Sequence, residues 1–419
     1  VREDVRTVEP GPLDGEVEAP PSKSLFQRAV AAATLAGGTT LVRASFLCAD
    51  AEASLRAARA LGARVEILPG VVKITGRAGP PGGEIDCGES GLTLRIFAPL
   101  AALQDRPVVL SGSGSLFRRP AHMIPPALEA LGGACETKGG FPPLRVQGPL
   151  RSGRAEVDGR LTSQVLSGLL LALPVCEGES QVLVRELRSK GYVQATLRVL
   201  EEFGVRVEAD LEAGEFRIPG GQEYSPIEYD LEGDWSGAAF LLVAGALAGR
   251  VTVTGLDPGS SQPDRGILEA LERAGAKVEV TRDCVRVERD RLEGFTFDAV
   301  DRPDLFPPLA VLGAFCRGRT VLKGAGRLRH KESDRAAALA EGLSRLGAEI
   351  QVAGDLMILE GRILHGGKAR ARGDHRIAMA LAVAGLSSES PVHIAGASSV
   401  TKSYPRFFQD LRSLGGRVV

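Results

Sequence analysis

Leu61-Gly62-Ala63, Leu131-Gly132-Gly133, Phe203-Gly204-Val205, Ala274-Gly275-Ala276, Leu346-Gly347-Ala348 and Leu414-Gly415-Gly416 recur along the chain, their glycines 70, 72, 71, 72 and 68 residues apart. Apolar residues precede each glycine at helical spacing, as in Leu197, Leu200 and Phe203 or Phe407, Leu411 and Leu414, and a β-rich stretch such as 65–75 or 278–287 follows. The pattern predicts an amphipathic helix that stops where glycine adopts positive φ, then a hairpin. One triplet would carry little weight. Six in phase define an internal repeat.

A second landmark keeps the same period. Residues 17–36, 84–103, 155–173, 227–248, 295–315 and 369–386 each read as a short strand, a few polar residues and a nearly uninterrupted apolar helix. Helices apolar all round are buried ones, here between sheets. A further β-rich run follows each of them, such as 108–110, 251–254 or 320–322. Each unit is therefore βαβαββ. The predicted fold class is α/β: two similar domains of three βαβαββ repeats each, with parallel helices buried and sheets outside, an inside-out α/β barrel type. The sixth repeat runs out one strand short at Val419, while 5–11 has the character of the missing strand. The expected division is 1–13 plus 232–419 as one domain and 20–222 as the inserted one, with crossovers at 12–21 and 221–234.

Composition narrows the function. The chain has 419 residues and a net charge of −1, so no global positive excess draws it to nucleic acid or to an anionic membrane. Any anion site must be local. The six cysteines are scattered, with neither zinc-site spacing nor disulfide-scaffold density, and are expected to be reduced. The start, with Glu3, Asp4 and Glu9, has no apolar core of a signal peptide, and apolar runs such as 165–175 and 240–247 are too short to span a bilayer. A cytoplasmic chain is expected. Two domains need no partner to build a cleft, so a monomer is expected too.

Ligands of such α/β units collect at helix N-termini, where unpaired N–H groups and the helix dipole favour anions. Polar residues concentrate there: Ser22-Lys23-Ser24 with Arg28, Gly88-Glu89-Ser90-Gly91, Thr162-Ser163-Gln164, Arg302-Pro303-Asp304 and Asp374-His375-Arg376 before the buried helices. Arg118-Arg119-Pro120, Ser189-Lys190-Gly191-Tyr192, the run from Arg329 to Arg335 and Lys402-Ser403-Tyr404 precede the outer ones. Cations from both domains are thus expected at one cleft suited to phosphates and carboxylates. Lys23, Lys331, Arg376 and Lys402 read as helix-start cations. These oppose the dipole unless an anion is near, which favours ligand contact over a solvated surface role. Asp234 reads as a plain N-cap, and Trp235, Tyr404, Cys176 and Cys316 as packing residues. His375 is expected to support neighbours rather than act as a base. No HExxH or paired His/Cys spacing points to a metal.

In order and spacing, Ser22-Lys23-Ser24, Arg118-Arg119-Pro120, Thr162-Ser163-Gln164, the Lys331-Glu332-Ser333-Asp334-Arg335 segment, Asp374-His375-Arg376 and Lys402 resemble the 5-enolpyruvylshikimate-3-phosphate synthase family over essentially the whole chain. The resemblance implies transfer of the enolpyruvyl group of phosphoenolpyruvate to the 5-hydroxyl of shikimate 3-phosphate, on the route to chorismate, without metal or organic cofactor. It implies that Ser24, Arg28, Thr162, Ser163, Gln164, Ser189, Tyr192, Arg327 and Lys331 hold shikimate 3-phosphate. Gly91, Arg119, Arg335, Arg376 and Lys402 would hold phosphoenolpyruvate, with Lys23, Asp304 and Glu332 catalytic, Lys23 also touching phosphoenolpyruvate and Asp304 shikimate 3-phosphate. Two departures stand out: Gly88-Glu89-Ser90-Gly91-Leu92 replaces the family's common Gly-Asn-Ala-Gly-Thr, and Arg327 replaces a frequent Asn. The related transferase acting on a UDP-linked amino sugar usually has a reactive cysteine in the loop matching 111–119, and none stands here. An inert anion-binding scaffold would leave Asp304 and Glu332 among so many cations without a purpose.

Overall fold

The computed structural model describes residues 4–77 and 82–419, so the first three residues of the expected N-terminal segment lie outside the described residues. The chain divides into two compact units, residues 4–22 with 232–419 and residues 23–231. Each unit carries three four-stranded sheets built on one plan. In the sheet of Arg154–Asp158, Ser180–Arg185, Glu208–Asp210 and Glu215–Ile218, the first two strands run parallel. The fourth returns antiparallel beside the second, and the third closes a hairpin on the fourth. A parallel pair requires a crossover, here the helix Gln164–Ala172.

Within each unit the crossover helices pack on one another. In the second unit they are Lys23–Leu35, Gly91–Ala101 and Gln164–Ala172, and in the first Trp235–Ala248, Phe306–Phe315 and His375–Leu386. Every residue of Trp235–Ala248 is buried, which is why its sequence shows no polar stripe. The outer helices are amphipathic. Six of them end at Gly62, Gly132, Gly204, Gly275, Gly347 and Gly415, whose φ values of +92°, +84°, +80°, +86°, +100° and +94° explain the repeated glycine.

One crossing point differs from the sequence expectation. Leu13–Glu18 is a strand, paired in parallel with Gly249–Thr254 from Leu13↔Gly249 to Glu18↔Thr254 in the first unit. The helix that follows it, Lys23–Leu35, belongs to the second unit. Reciprocally, Glu228–Asp230 pairs with Thr39–Arg43 in the second unit, whereas the next helix, Trp235–Ala248, lies in the first. The chain therefore crosses between strand and helix, at 22/23, one residue past the expected 12–21, and at 231/232, inside the expected 221–234. Strand-then-helix order is visible in a sequence. Which sheet accepts the strand is a tertiary choice. Val5–Glu9 pairs antiparallel with Val392–Ala395 and with Arg417–Val418, completing the last sheet.

Candidate active site

The first unit concentrates its charge around one guanidinium. Arg335 opens the helix Arg335–Arg345, is 1% exposed, and donates from Nε to Asp374 (2.8 Å), from Nη1 to Asp304 (2.8 Å) and from Nη2 to Glu332 (2.5 Å). Asp374 is itself the N-cap of His375–Leu386, accepting from the Arg376 N–H at 3.0 Å and from the Ser333 hydroxyl at 3.0 Å. Asp304 precedes Phe306–Phe315 and meets Arg376 Nη2 at 3.2 Å and Lys331 Nζ at 3.9 Å. Lys402 Nζ stands 3.9 Å from Glu332 Oε1. Sequence-distant segments of two neighbouring repeats thus converge on a pair of carboxylates framed by cations.

The electrostatics follow from this frame. Burial alone would raise the Asp304 carboxyl, but Arg376, Lys331 and Arg335 outweigh it and hold the group well below the ordinary range. Lys331 is pushed down to about 8: burial disfavours its charge and Arg335 repels it, against the pull of Asp304 and Glu332. Arg335 is held firmly protonated, since Asp374, Glu332 and Asp304 overcome its burial. Asp304 therefore stays ionised beside an amine near its titration point.

In the second unit, Lys23 is the first residue of its helix and pairs with Asp50 Oδ2 at 3.0 Å. Gln27 donates to the Asp50 carbonyl (3.1 Å), Ser90 (2.8 Å) and Thr93 (2.7 Å), tying that helix to the start of Gly91–Ala101. At the same start two guanidiniums gather. A Cβ on Gly91 would lie 2.5 Å from Arg119 Cζ and 2.8 Å from Arg95 Nη1, so glycine is needed to admit them. Arg95 donates to Gln164 Oε1 at 2.8 Å and to the Pro120 carbonyl at 2.7 Å. Arg28, buried, donates to Thr196 Oγ1 (2.8 Å) and to the carbonyls of Ser24 (2.8 Å) and Tyr192 (3.2 Å). Burial lowers its pKa to about 10, less than it otherwise would because of Tyr192 and Tyr229. Thr162 Oγ1 accepts from the Gln164 N–H at 3.2 Å, Ser163 is buried, and Ser189 holds φ +59° at the head of Lys190–Glu202.

Several expectations change. Lys331 and Lys402 are not helix-start cations: each lies at the end of a 3-10 segment, Ala325–His330 and Ala397–Lys402, and the helices begin later at Arg335 and Phe407. Carboxylates, not helix dipoles, are their neighbours. Arg302 turns away to Glu269 (3.3 Å) and the Phe297 ring (5.5 Å), and Lys190 to Glu212 (2.6 Å). Arg327 donates to the Val300 carbonyl. Glu89 accepts from the Ser115 N–H (3.1 Å) and hydroxyl (2.6 Å), bracing the loop that leads to Arg119. Asp234 caps its helix through the Ser236 N–H at 3.0 Å, and burial raises the Cys176 and Cys316 thiols to about 11 and about 12. Sequence reasoning missed Asp50, Gln27, Arg95 and Thr196. Arg95 had a signal, a lone charge inside a uniformly apolar helix. Asp50 had none, since an acid in a helix's first turn is ordinary.

This architecture is shared with solved transferases of one class. The chain superposes on the enolpyruvyl transferase NikO from Streptomyces tendae with a TM-score of 0.80 at 19% identity over 100% of this chain and 98% of that one, a likeness of fold. It superposes on EPSP synthase from Acinetobacter baumannii with a TM-score of 0.82 at 29% identity over 99% of each chain. A family model described as EPSP synthase (3-phosphoshikimate 1-carboxyvinyltransferase) matches residues 8–411, and the chain belongs to that family. Relatives named 3-phosphoshikimate 1-carboxyvinyltransferase include one from Aeropyrum pernix, 44% identical over 98% of this chain and 96% of the relative. Another, from Halobacterium salinarum, is 42% identical over 98% of each. The family's activity is transfer of the enolpyruvyl group of phosphoenolpyruvate to shikimate 3-phosphate in aromatic biosynthesis.

Proposed function

We propose that the chain acts on phosphoenolpyruvate and shikimate 3-phosphate with Asp304 and Glu332 dividing the proton transfers. The 5-hydroxyl of shikimate 3-phosphate attacks C2 of phosphoenolpyruvate and gives its proton to Asp304, while C3 gains a proton from Glu332. The tetrahedral intermediate then expels phosphate as C3 returns its proton. Two positioned carboxylates are what such an addition–elimination needs. Arg335 carries the proposal: one buried guanidinium fixes both carboxylates, with Asp304 held ionised. With its Nε, Nη1 and Nη2 each bound to a carboxylate, Arg335 orients the acid–base pair besides meeting the substrate carboxylate.

Lys23, paired with Asp50, stabilises charge on the departing phosphate, and Gly91, Arg119, Arg376 and Lys402 hold phosphoenolpyruvate. Ser24, Arg28, Thr162, Ser163, Gln164, Ser189, Tyr192, Arg327 and Lys331 hold shikimate 3-phosphate. The two units serve as two domains of a cytoplasmic monomer; the six unpaired cysteines, five of them buried, suit a reducing compartment. Phosphate release is measured with phosphoenolpyruvate and shikimate 3-phosphate, beside a UDP-linked amino sugar as acceptor. Turnover with the first acceptor alone is expected; turnover with the UDP-sugar, or with neither, overturns the reading.

A further inference from the structure

Two of the three buried helices of the first unit, Phe306–Phe315 and His375–Leu386, begin at the charged cluster, and both run away from it. Taking about 1.5 Å per residue, the twelve-residue helix His375–Leu386 puts its C-terminal end roughly 18 Å from Asp374. At that end a cavity of about 630 Å³ opens among Ala248, Phe315 and Leu386, the last residues of the three helices. Leu247, Leu292 and Ile363 add apolar surface, and Ile363 is 64% exposed. Arg289, Arg317 and Arg362 supply positive charge, and Asp290, which pairs with Lys277 at 3.5 Å, the one carboxylate of the lining. Arg362 pairs with Glu349, but among the described residues no carboxylate lies within ion-pair reach of Arg289 or Arg317.

Arginines beside helix C-termini have an ordinary explanation, because they offset the negative end of the dipole. The repeat tests that explanation. Arg362 closes onto its helix end through its backbone, its N–H donating to the Ala314 carbonyl at 3.0 Å. In the second unit the same closing bond is made by Leu150 to Ala102 (2.7 Å) and by Gln222 to Pro174 (2.8 Å). At the place of Arg317, those two helix ends carry Asp105 and Glu177, with Arg106 and Arg151 close by in sequence. An acid thus stands beyond two equal dipoles where Arg317 stands beyond the third, so the dipole alone does not require an arginine at that position.

We infer that this cavity of the first unit binds an organic carboxylate with an apolar body about the size of a six-membered ring. Two guanidiniums without a carboxylate partner offer bidentate recognition, the apolar helix ends offer a floor, and the volume falls in the range of about 300–1,000 Å³ usual for small-molecule sites. An anion with no apolar body leaves Ile363 and Phe315 facing water, and an apolar molecule with no charge leaves the guanidiniums unmatched.

The test uses the full chain with benzoate and cyclohexanecarboxylate as probes, against inorganic phosphate and benzyl alcohol, read by ligand-observed NMR and calorimetry. Saturable binding of both carboxylates is expected, with phosphate and the alcohol at least about tenfold weaker. The double variant Arg289→Ala, Arg317→Ala and the separate variant Ile363→Asp each weaken the carboxylates by about tenfold or more while the thermal midpoint and phosphate-release activity stay unchanged. Carboxylate binding untouched by both variants places the molecule elsewhere, and phosphate binding as tightly as benzoate makes it an anion site without an apolar requirement. Either result, or no saturable binding, overturns the inference.

Discussion

Lys331 titrates near about 8, inside the range where an enzyme can be assayed, and that sets up a quantitative test of its place in the site. If Lys331 meets an anionic group of shikimate 3-phosphate only when protonated, the apparent dissociation constant follows Kd multiplied by one plus ten to the power of pH minus pKa. With a pKa of about 8, the factor is close to one at pH 7 and close to eleven at pH 9. Calorimetric titration of shikimate 3-phosphate is therefore expected to show affinity falling about tenfold between those pH values, or ~1.4 kcal/mol, with a limiting slope of one. Lys331→Arg keeps the charge far above this window and is expected to flatten the profile, and Lys331→Gln to weaken binding at pH 7 and flatten it as well.

The neighbours supply an internal control. Asp304 raises the Lys331 pKa, so Asp304→Asn is expected to move the titration to lower pH. Stability moves the other way from affinity. The folded chain gives up this proton at about 8 and the unfolded one at 10.5, so between those values the unfolded state binds more protons and the contribution of Lys331 to stability grows as pH rises. A Kd that is flat from pH 7 to pH 9 in the unsubstituted chain, or an equal rise in the Lys331→Arg variant, refutes the assignment.

Glu332→Gln retains an acceptor for Arg335 but cannot exchange a proton; kcat is expected to fall by about 100-fold or more with KM little changed, and an unchanged kcat with raised KM removes Glu332 from proton transfer. Arg335→Met strips the counter-charge from Asp374, Glu332 and Asp304 and is expected to cost about 3–5 kcal/mol in denaturant unfolding at neutral pH. In the parent, the stability that Asp304 contributes is fully present above its usual carboxylate value near 3.8 and is lost as pH falls through its depressed one, so the gap between parent and variant should narrow in acid. Gly91→Ala pushes its Cβ into the guanidinium ends of Arg119 and Arg95, the far ends of long side chains. The expected result is a KM for phosphoenolpyruvate raised by about tenfold with an unchanged melting temperature, whereas Gly148→Ala, whose Cβ meets the Ala102 carbonyl oxygen at 1.9 Å, should lower the melting temperature.

Periodicity made most of the fold legible. A helix stop that needs positive φ leaves glycine in the sequence, and a helix buried on every side leaves an apolar run, so Gly62 through Gly415 and stretches such as 235–248 announce themselves locally. The exchange of strands at the two crossovers left no such mark. Leu13–Glu18 and Glu228–Asp230 are short edge strands whose sequences suit either unit's sheet, and only pairing with Gly249–Thr254 or Thr39–Arg43 decides between them. Helix starts were misjudged where 3-10 segments intervene, as before Arg335 and Phe407, because the 3-10 turns carry the same polar composition as an N-terminus.

The candidate site divides along a similar line. Residue types were readable: lysines and arginines clustered in strand-to-helix loops imply anions, and carboxylates among them imply proton transfer. Partnerships were not. Nothing in the segment from Lys331 to Arg335 reveals that Arg335 is sunk to 1% exposure beneath Asp304, Glu332 and Asp374, because Asp304 lies 31 residues back in the same repeat and Asp374 lies in the next one. A buried guanidinium bound to one acid would be replaceable by apolar packing. Bound to two acids of its own repeat and to Asp374 of the next, Arg335 ties the spacing between Asp304 and Glu332 to the junction of those two repeats. That coupling gives a physical reason why the packing of neighbouring repeats and the geometry of the charged cluster depend on the same side chain.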